Sequence, residues 1–191
     1  MSPDESALTV IGVCGAYGFP NGMASTKRIL NLGRAMVGGG CLYHVFHLGP
    51  PPSPLNDRRT GEIDGVGWTY LTLDMLWPTH RWRRILNYLY AMVAFMLSLW
   101  RQRGVACIHL CRTADVESLI VYATARLLGV PVVQDCCEWW PGTPGETRFK
   151  RWMYRKVMFK YSSGTIAISE LIEDRVRERA DRYAVAGGRV Y

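Results

Sequence analysis

The chain has 191 residues, enough for one α/β domain with a sizeable core and too few for two. Apolar residues make up 49% of it and include seven tryptophans and ten tyrosines, which excludes a disordered chain. Twenty-three Lys and Arg against 16 Asp and Glu leave a net charge of +7, which favours anionic partners: nucleic acid, an anionic membrane surface or a phosphorylated small molecule.

The first element expected is a strand over residues 8–14, LTVIGVC, a short β-branched run that ends at glycine as buried parallel strands do. Ile29, Leu30, Leu32, Met36 and Val37 then recur near helical spacing, so a helix is expected from Ser25 to Val37, stopped by Gly38-Gly39-Gly40. A second strand runs from Cys41 to Leu48 and ends before the proline-rich 50–54 stretch. Residues 55–79 read as two short strands, 63–66 and 68–73, interrupted by glycine. A long apolar helix follows Arg81 and runs to about Trp100. After it come a strand at 106–111, a helix at 116–128, a strand at 130–134, a basic helix at 146–161 and a strand at 165–168. Ser169 is placed to cap a final helix.

Strands and helices in alternation with short connections predict a Rossmann-like parallel sheet with helices on both faces. Ligands of such sheets bind beyond the carboxyl ends of the strands. Attention therefore falls on residues 15–25, 49–55, 111–115, 135–143 and 169.

In the first of these loops, Gly15, Gly18 and Gly22 allow close approach of a ligand to the main chain, and the helix behind them offers free N–H groups to an anion. The spacing is not Gly-x-Gly-x-x-Gly, no acid closes the second strand to hold a ribose, and no Gly-Lys-Ser or Gly-Lys-Thr is present. A phosphate cradle and a plain glycine turn both fit.

The run GAYGFPNGMASTKRILNLGRAMVGGGCLYHVFHLG resembles the N-terminal domain of GT-B glycosyltransferases, specifically the large retaining family 4. VPVVQDCCEWWPG and YRKVMFKYSSGTIAISELIEDR are similar to the late part of the same domain, and the likeness covers nearly the whole chain. It implies one Rossmann-like domain over residues 1–191, half of a GT-B architecture, whose C-terminal donor-binding domain is supplied in cis or in trans. It implies transfer of a sugar with retention from a nucleotide-sugar to a sugar or lipid-linked acceptor, and no activity without the second domain. The nucleotide-sugar is the donor substrate, so no cofactor and no metal are expected, and no catalytic residue is assigned. The loop bearing Gly15, Gly18, Asn21 and Gly22 would face the donor diphosphate or the cleft.

On the acceptor side, Asp135, Glu138, Trp139 and Trp140 combine carboxylates with aromatic faces, the pairing with which proteins grip sugar rings. A structural role at the sheet edge fits them equally. His109, within the strand ACIHLC, and Arg112, just beyond it, are further acceptor-side candidates. His109 also reads as a core histidine, and Asp115 or Thr113 as a helix cap. The six cysteines show no paired zinc spacing, although Cys107 and Cys111 straddle His109; Cys14 and Cys107 read as core residues.

Residues 85–100 span about 24 Å as a helix, short of the roughly 20 residues a membrane span needs. This helix is expected either to be buried as a crossover or to lie partly in a bilayer interface, with arginines at both ends. The helix 146–161 carries Arg148, Lys150, Arg151, Arg155, Lys156 and Lys160 and suits an anionic membrane surface or simply solvent. No base-reading module is present, so nucleic acid is not expected. The opening residues lack a secretion pattern, so a cytoplasmic protein is expected, and the resemblance, whose members often act on lipid-linked sugars, implies a peripheral place at the inner face of the membrane. Glu170 and Glu178 match the spacing of the family's donor-binding glutamates but lie on an ordinary helix here. The competing reading is a non-catalytic module that binds a nucleotide or a partner; a nicotinamide oxidoreductase is a third, without its fingerprint.

Overall fold

The computed structural model describes residues 7–15, 18–51, 54–102, 104–111, 114–137 and 146–185. The architecture is α/β, a mixed sheet flanked by helices on both faces, as the Rossmann-like expectation requires apart from the direction of one strand. The chain divides into two compact units, Met1–Ile108 and His109–Tyr191.

In the first unit, β1 (Thr9–Cys14), α1 (Ala24–Gly38), β2 (Leu42–His47), β3 (Thr60–Ile63), β4 (Val66–Tyr70) and α2 (Arg81–Arg101) follow one another, and β5 (Val105–Cys111) begins. The strand order is β3-β4-β2-β1. β1 and β2 run parallel with Thr9 opposite Leu42, and β2 and β4 run parallel with Tyr43 opposite Val66. β1 is apolar along its length because it is buried on both sides, as the glycine-bounded run predicts.

β3 corrects the all-parallel expectation, since it pairs antiparallel with β4. The segment read as a strand at 63–66 is in fact a tight turn. Asp64 and Gly65 both take positive φ, 53° and 79°, which is what a two-residue hairpin loop requires. A parallel return would have needed a crossover of a dozen residues or more. Gly33 of α1 lets that helix approach the sheet; a Cβ there would stand 2.7 Å from Tyr43 Cδ1 and 2.9 Å from Val66 Cγ2.

In the second unit, β5 is followed by α3 (Val116–Leu128), β6 (Val132–Cys136), α4 (Arg148–Met153), a π-helical segment (Tyr154–Met158), α5 (Phe159–Tyr161), β7 (Gly164–Ala167) and α6 (Glu170–Val185). β6 and β7 pair in parallel, with Asp135 opposite Ile166. Asp115 caps α3, accepting from Ser118 N at 2.7 Å and Ser118 Oγ at 2.8 Å, and Gly129 closes it in the left-handed conformation. The basic helix expected over 146–161 is interrupted. Its π segment turns Tyr154, Val157 and Met158 inward while Arg155 and Lys156 stay exposed.

Candidate functional site

The loop after β1 is built from the inside. Phe19 N donates to Tyr70 Oη at 2.9 Å, and Tyr70 Oη donates to Phe19 O at 2.8 Å, so the last residue of β4 clamps the loop backbone from both directions. The Phe19 ring lies 5.5 Å from the His47 ring and 5.8 Å from Trp68, and His47 stacks on Tyr70 at 4.6 Å. His47, the buried last residue of β2, thus joins the loop's footing. Its one signal in the sequence is a histidine ending an apolar strand, VFH, which does not by itself mark a functional residue.

Asn21 is tied to a second loop. Its N–H donates to Asn56 Oδ1 at 3.0 Å, its Nδ2 donates to Leu55 O at 3.2 Å, and Asn56 Nδ2 donates to Asn21 O at 2.8 Å. Its side-chain amide therefore has a partner inside the protein. Gly22 is packed too closely for any side chain, because a Cβ would collide with Thr26 Oγ1 and Gly18 O. Those two groups bond each other at 2.6 Å, with the Thr26 hydroxyl donating. The result is a loop with Gly15 at its root and Gly18 to Gly22 folded over the first turn of α1. That helix has no side-chain cap and no acidic residue in its first turn. Its leading N–H groups are suited to an anion.

In the second unit, adjacent strand ends bring together residues that the chain keeps 26 positions apart. His109 Nε2 lies 3.6 Å from Asp135 Oδ2, and both side chains are only 1% exposed. Cys111 Sγ stands 3.5 Å from both ring nitrogens of His109, and the Cys137 thiol donates to Asp135 Oδ1 at 3.5 Å. Burial pushes the neighbouring Cys136 thiol up to about 12, and the charges of Asp135 and Cys137 add to the shift. Beneath this group, Gln134 accepts from Tyr122 Oη at 2.9 Å and donates to Leu110 O at 3.2 Å and Asp135 O at 3.1 Å. Burial raises the Tyr122 phenol, so it donates as a neutral hydroxyl.

His109, Cys111 and Asp135 each offer one metal-ligating atom within 4.8 Å of the others. The donor types suit zinc, yet the direction does not. A sulfur equidistant from both ring nitrogens lies off the lone pair of either, whereas a thiolate sharing a metal with imidazole stands nearer the ligating nitrogen. Arg112, Glu138, Trp139 and Trp140, the other acceptor-side candidates, lie outside the described residues.

α3, the π segment and α5 border a groove of about 690 Å³ lined by Arg126, Trp152, Arg155, Lys156, Lys160 and Tyr161, among others. Arg126 and Lys160 approach the Tyr161 ring at 5.2 and 5.3 Å. No described helix is long and apolar enough to cross a membrane.

Among family models, that of the glycosyl transferase 4-like domain matches residues 24–186. The chain belongs to this family. Among the solved structures that match this glycosyl transferase 4-like domain, two illustrate the shared fold. A sucrose-phosphate synthase from Thermosynechococcus elongatus is similar at a TM-score of 0.68 and 13% identity, over 90% of this chain and 45% of that one. A glycosyltransferase from Rickettsia africae ESF-5 is similar at a TM-score of 0.52 and 12% identity, over 92% of this chain and 40% of that one. The domain thus spans less than half the length of either. A search of curated proteins finds no significant match. The GT-B resemblance read from the loop and the late motifs is borne out at the level of family and fold.

Proposed function

We propose that residues 1–191 form the acceptor-side half of a two-domain retaining glycosyltransferase, with a second domain, in cis or in trans, holding most of the nucleotide-sugar. The observation that carries this reading is the loop of Gly15, Gly18, Asn21 and Gly22 fastened over the uncapped start of α1. A loop held in place by the protein's own bonds keeps the leading N–H groups of α1 in position for a diphosphate without a large ordering cost. The acceptor is a sugar or a lipid-linked sugar. Asp135 holds and orients His109 on the acceptor side, and Arg112, Glu138, Trp139 and Trp140 supply contacts around it. The protein works in the cytoplasm, peripheral at the inner face of a membrane, and the groove bearing Lys156 and Lys160 supports contact with anionic lipid.

The burial of His109 and Asp135 favours one alternative, a non-catalytic module that binds a nucleotide or a partner. The experiment that separates the two is release of nucleoside diphosphate from a panel of UDP-, GDP- and ADP-sugars by the protein purified from its source. Release that depends on an added acceptor supports transfer, and nucleotide binding without release supports the module. Replacing Gly18 with valine is expected to reduce transfer more than it reduces the unfolding free energy. Equal losses would leave the loop with a structural role alone.

A further inference from the structure

A helix that serves only as a crossover buries one apolar stripe and shows solvent a polar one. α2 does not. Asn87, Ala91, Met92, Phe95 and Leu99 form its buried face. The opposite face carries Trp82, Ile85, Leu89, Val93, Leu97 and Trp100, each at least 43% exposed and the two tryptophans 60% and 71%. At about 100° per residue these side chains fill an arc of roughly 120° centred away from the core. A contiguous exposed patch of this kind marks a surface that is covered in the working protein.

The charges say by what. α2 contains no acidic residue, and its arginines sit at its ends; Arg83 pairs with Asp74 at 3.2 Å and Arg84 donates to Pro78 O at 2.7 Å, while Arg81 at the start and Arg101 at the finish flank the outer face. Pairing α2 with the same helix of a second copy sets arginine against arginine, in parallel or antiparallel register. An anionic surface reverses the sign of that interaction. The tryptophans near the two ends, Trp82 and Trp100, have the apolar body and polar N–H that suit the boundary between acyl chains and headgroups. The buried stripe fastens α2 to its own unit, so the helix lies along a bilayer and does not cross it.

We propose that the outer face of α2 is a docking surface for an anionic lipid bilayer, its leucines and valine in the acyl boundary and the flanking Arg81 and Arg101 among the headgroups. This deepens the peripheral placement proposed above and rests on it in that respect alone. Its test contains no sugar donor, so failure of transfer and failure of docking are separate results.

The experiment is flotation of the whole chain with phosphatidylcholine vesicles, with and without phosphatidylglycerol. The protein is expected to float with the anionic vesicles, and Leu89→Gln/Val93→Gln/Leu97→Gln to lower that partition by about tenfold or more. Because the three side chains face outward, the thermal midpoint and circular dichroism of the variant are expected to stay unchanged. Arg81→Glu/Arg101→Glu is expected to remove the preference for anionic over neutral vesicles. As an independent readout, acyl-brominated lipid is expected to quench the tryptophan emission less in Trp82→Phe/Trp100→Phe than in the parent. Partition of the triple variant equal to that of the parent, or quenching unaffected by the tryptophan changes, would overturn the proposal. So would a lipid-free dimer that the triple variant converts to monomer while neither protein floats.

Discussion

The clamp between Tyr70 and Phe19 allows a prediction with a size. Tyr70→Phe keeps the ring stacked on His47 and removes only the hydroxyl, which in the folded protein both accepts from Phe19 N and donates to Phe19 O. Both backbone groups are buried with Phe19, so the variant leaves a donor and an acceptor without those bonds. An unsatisfied buried polar group costs about 1–3 kcal/mol, and the two share one loop that can relax, so the sum is about 2–4 kcal/mol. With a urea slope of about 2–3 kcal/mol per molar for a chain of this size, the unfolding midpoint falls by about 1 M. The control is Tyr90→Phe, whose side chain is exposed on α2 and whose effect belongs within about 0.5 kcal/mol of zero. Hydrogen exchange adds a local readout, with the Phe19 amide losing protection by more than the global loss explains. Equal midpoints for Tyr70→Phe and Tyr90→Phe would refute the clamp, and with it the preorganised loop on which the proposed function rests.

Other outcomes follow from the same structure. Tyr122→Phe and Gln134→Leu each strand a buried partner and cost about 1–3 kcal/mol alone, whereas the double variant costs less than their sum by about 0.5–3 kcal/mol; additive losses in urea titrations would show that the pair is not coupled. Burial holds the His44 imidazole below its ordinary 6.5, so the unfolded chain takes up a proton that the folded one resists, and stability falls as pH drops below about 6.5. His44→Gln is expected to flatten that fall, and a variant with the parent's acid slope would assign it elsewhere. The Cys136 thiol works in the opposite range: with its folded value near 12 above an ordinary 9.0, stability is complete below 9.0 and declines as pH rises from there, a decline that Cys136→Ala reduces in alkaline unfolding curves. Lys156→Glu/Lys160→Glu is expected to weaken binding to anionic vesicles by roughly fivefold for each charge unit that meets the surface, and unchanged sedimentation would exclude the groove from lipid contact.

Much of the fold was legible because local rules and tertiary environment agree along most of this chain. The β-branched run at Thr9–Cys14 is a strand by propensity and is buried as one. Asp115 and Gly129 mark the two ends of α3 by chemistry that acts within one turn. The family was legible from the glycine loop and the late motifs, because those segments carry the fold's connections in their order.

What the sequence left open depends on residues that only folding brings together. Whether Asn21 serves a ligand or a neighbouring loop turns on Asn56, 35 positions away, and whether His109 stands alone turns on Asp135. The direction of β3 hung on Asp64 and Gly65, which read as part of a strand and act as a hairpin turn. α2 shows the limit most plainly. Its pattern predicts an apolar helix, but periodicity cannot tell which apolar residues the protein itself covers. Tertiary packing buried the stripe of Ala91, Phe95 and Leu99 and left Leu89, Val93 and Trp100 outside, because a helix meets its own sheet on one face only.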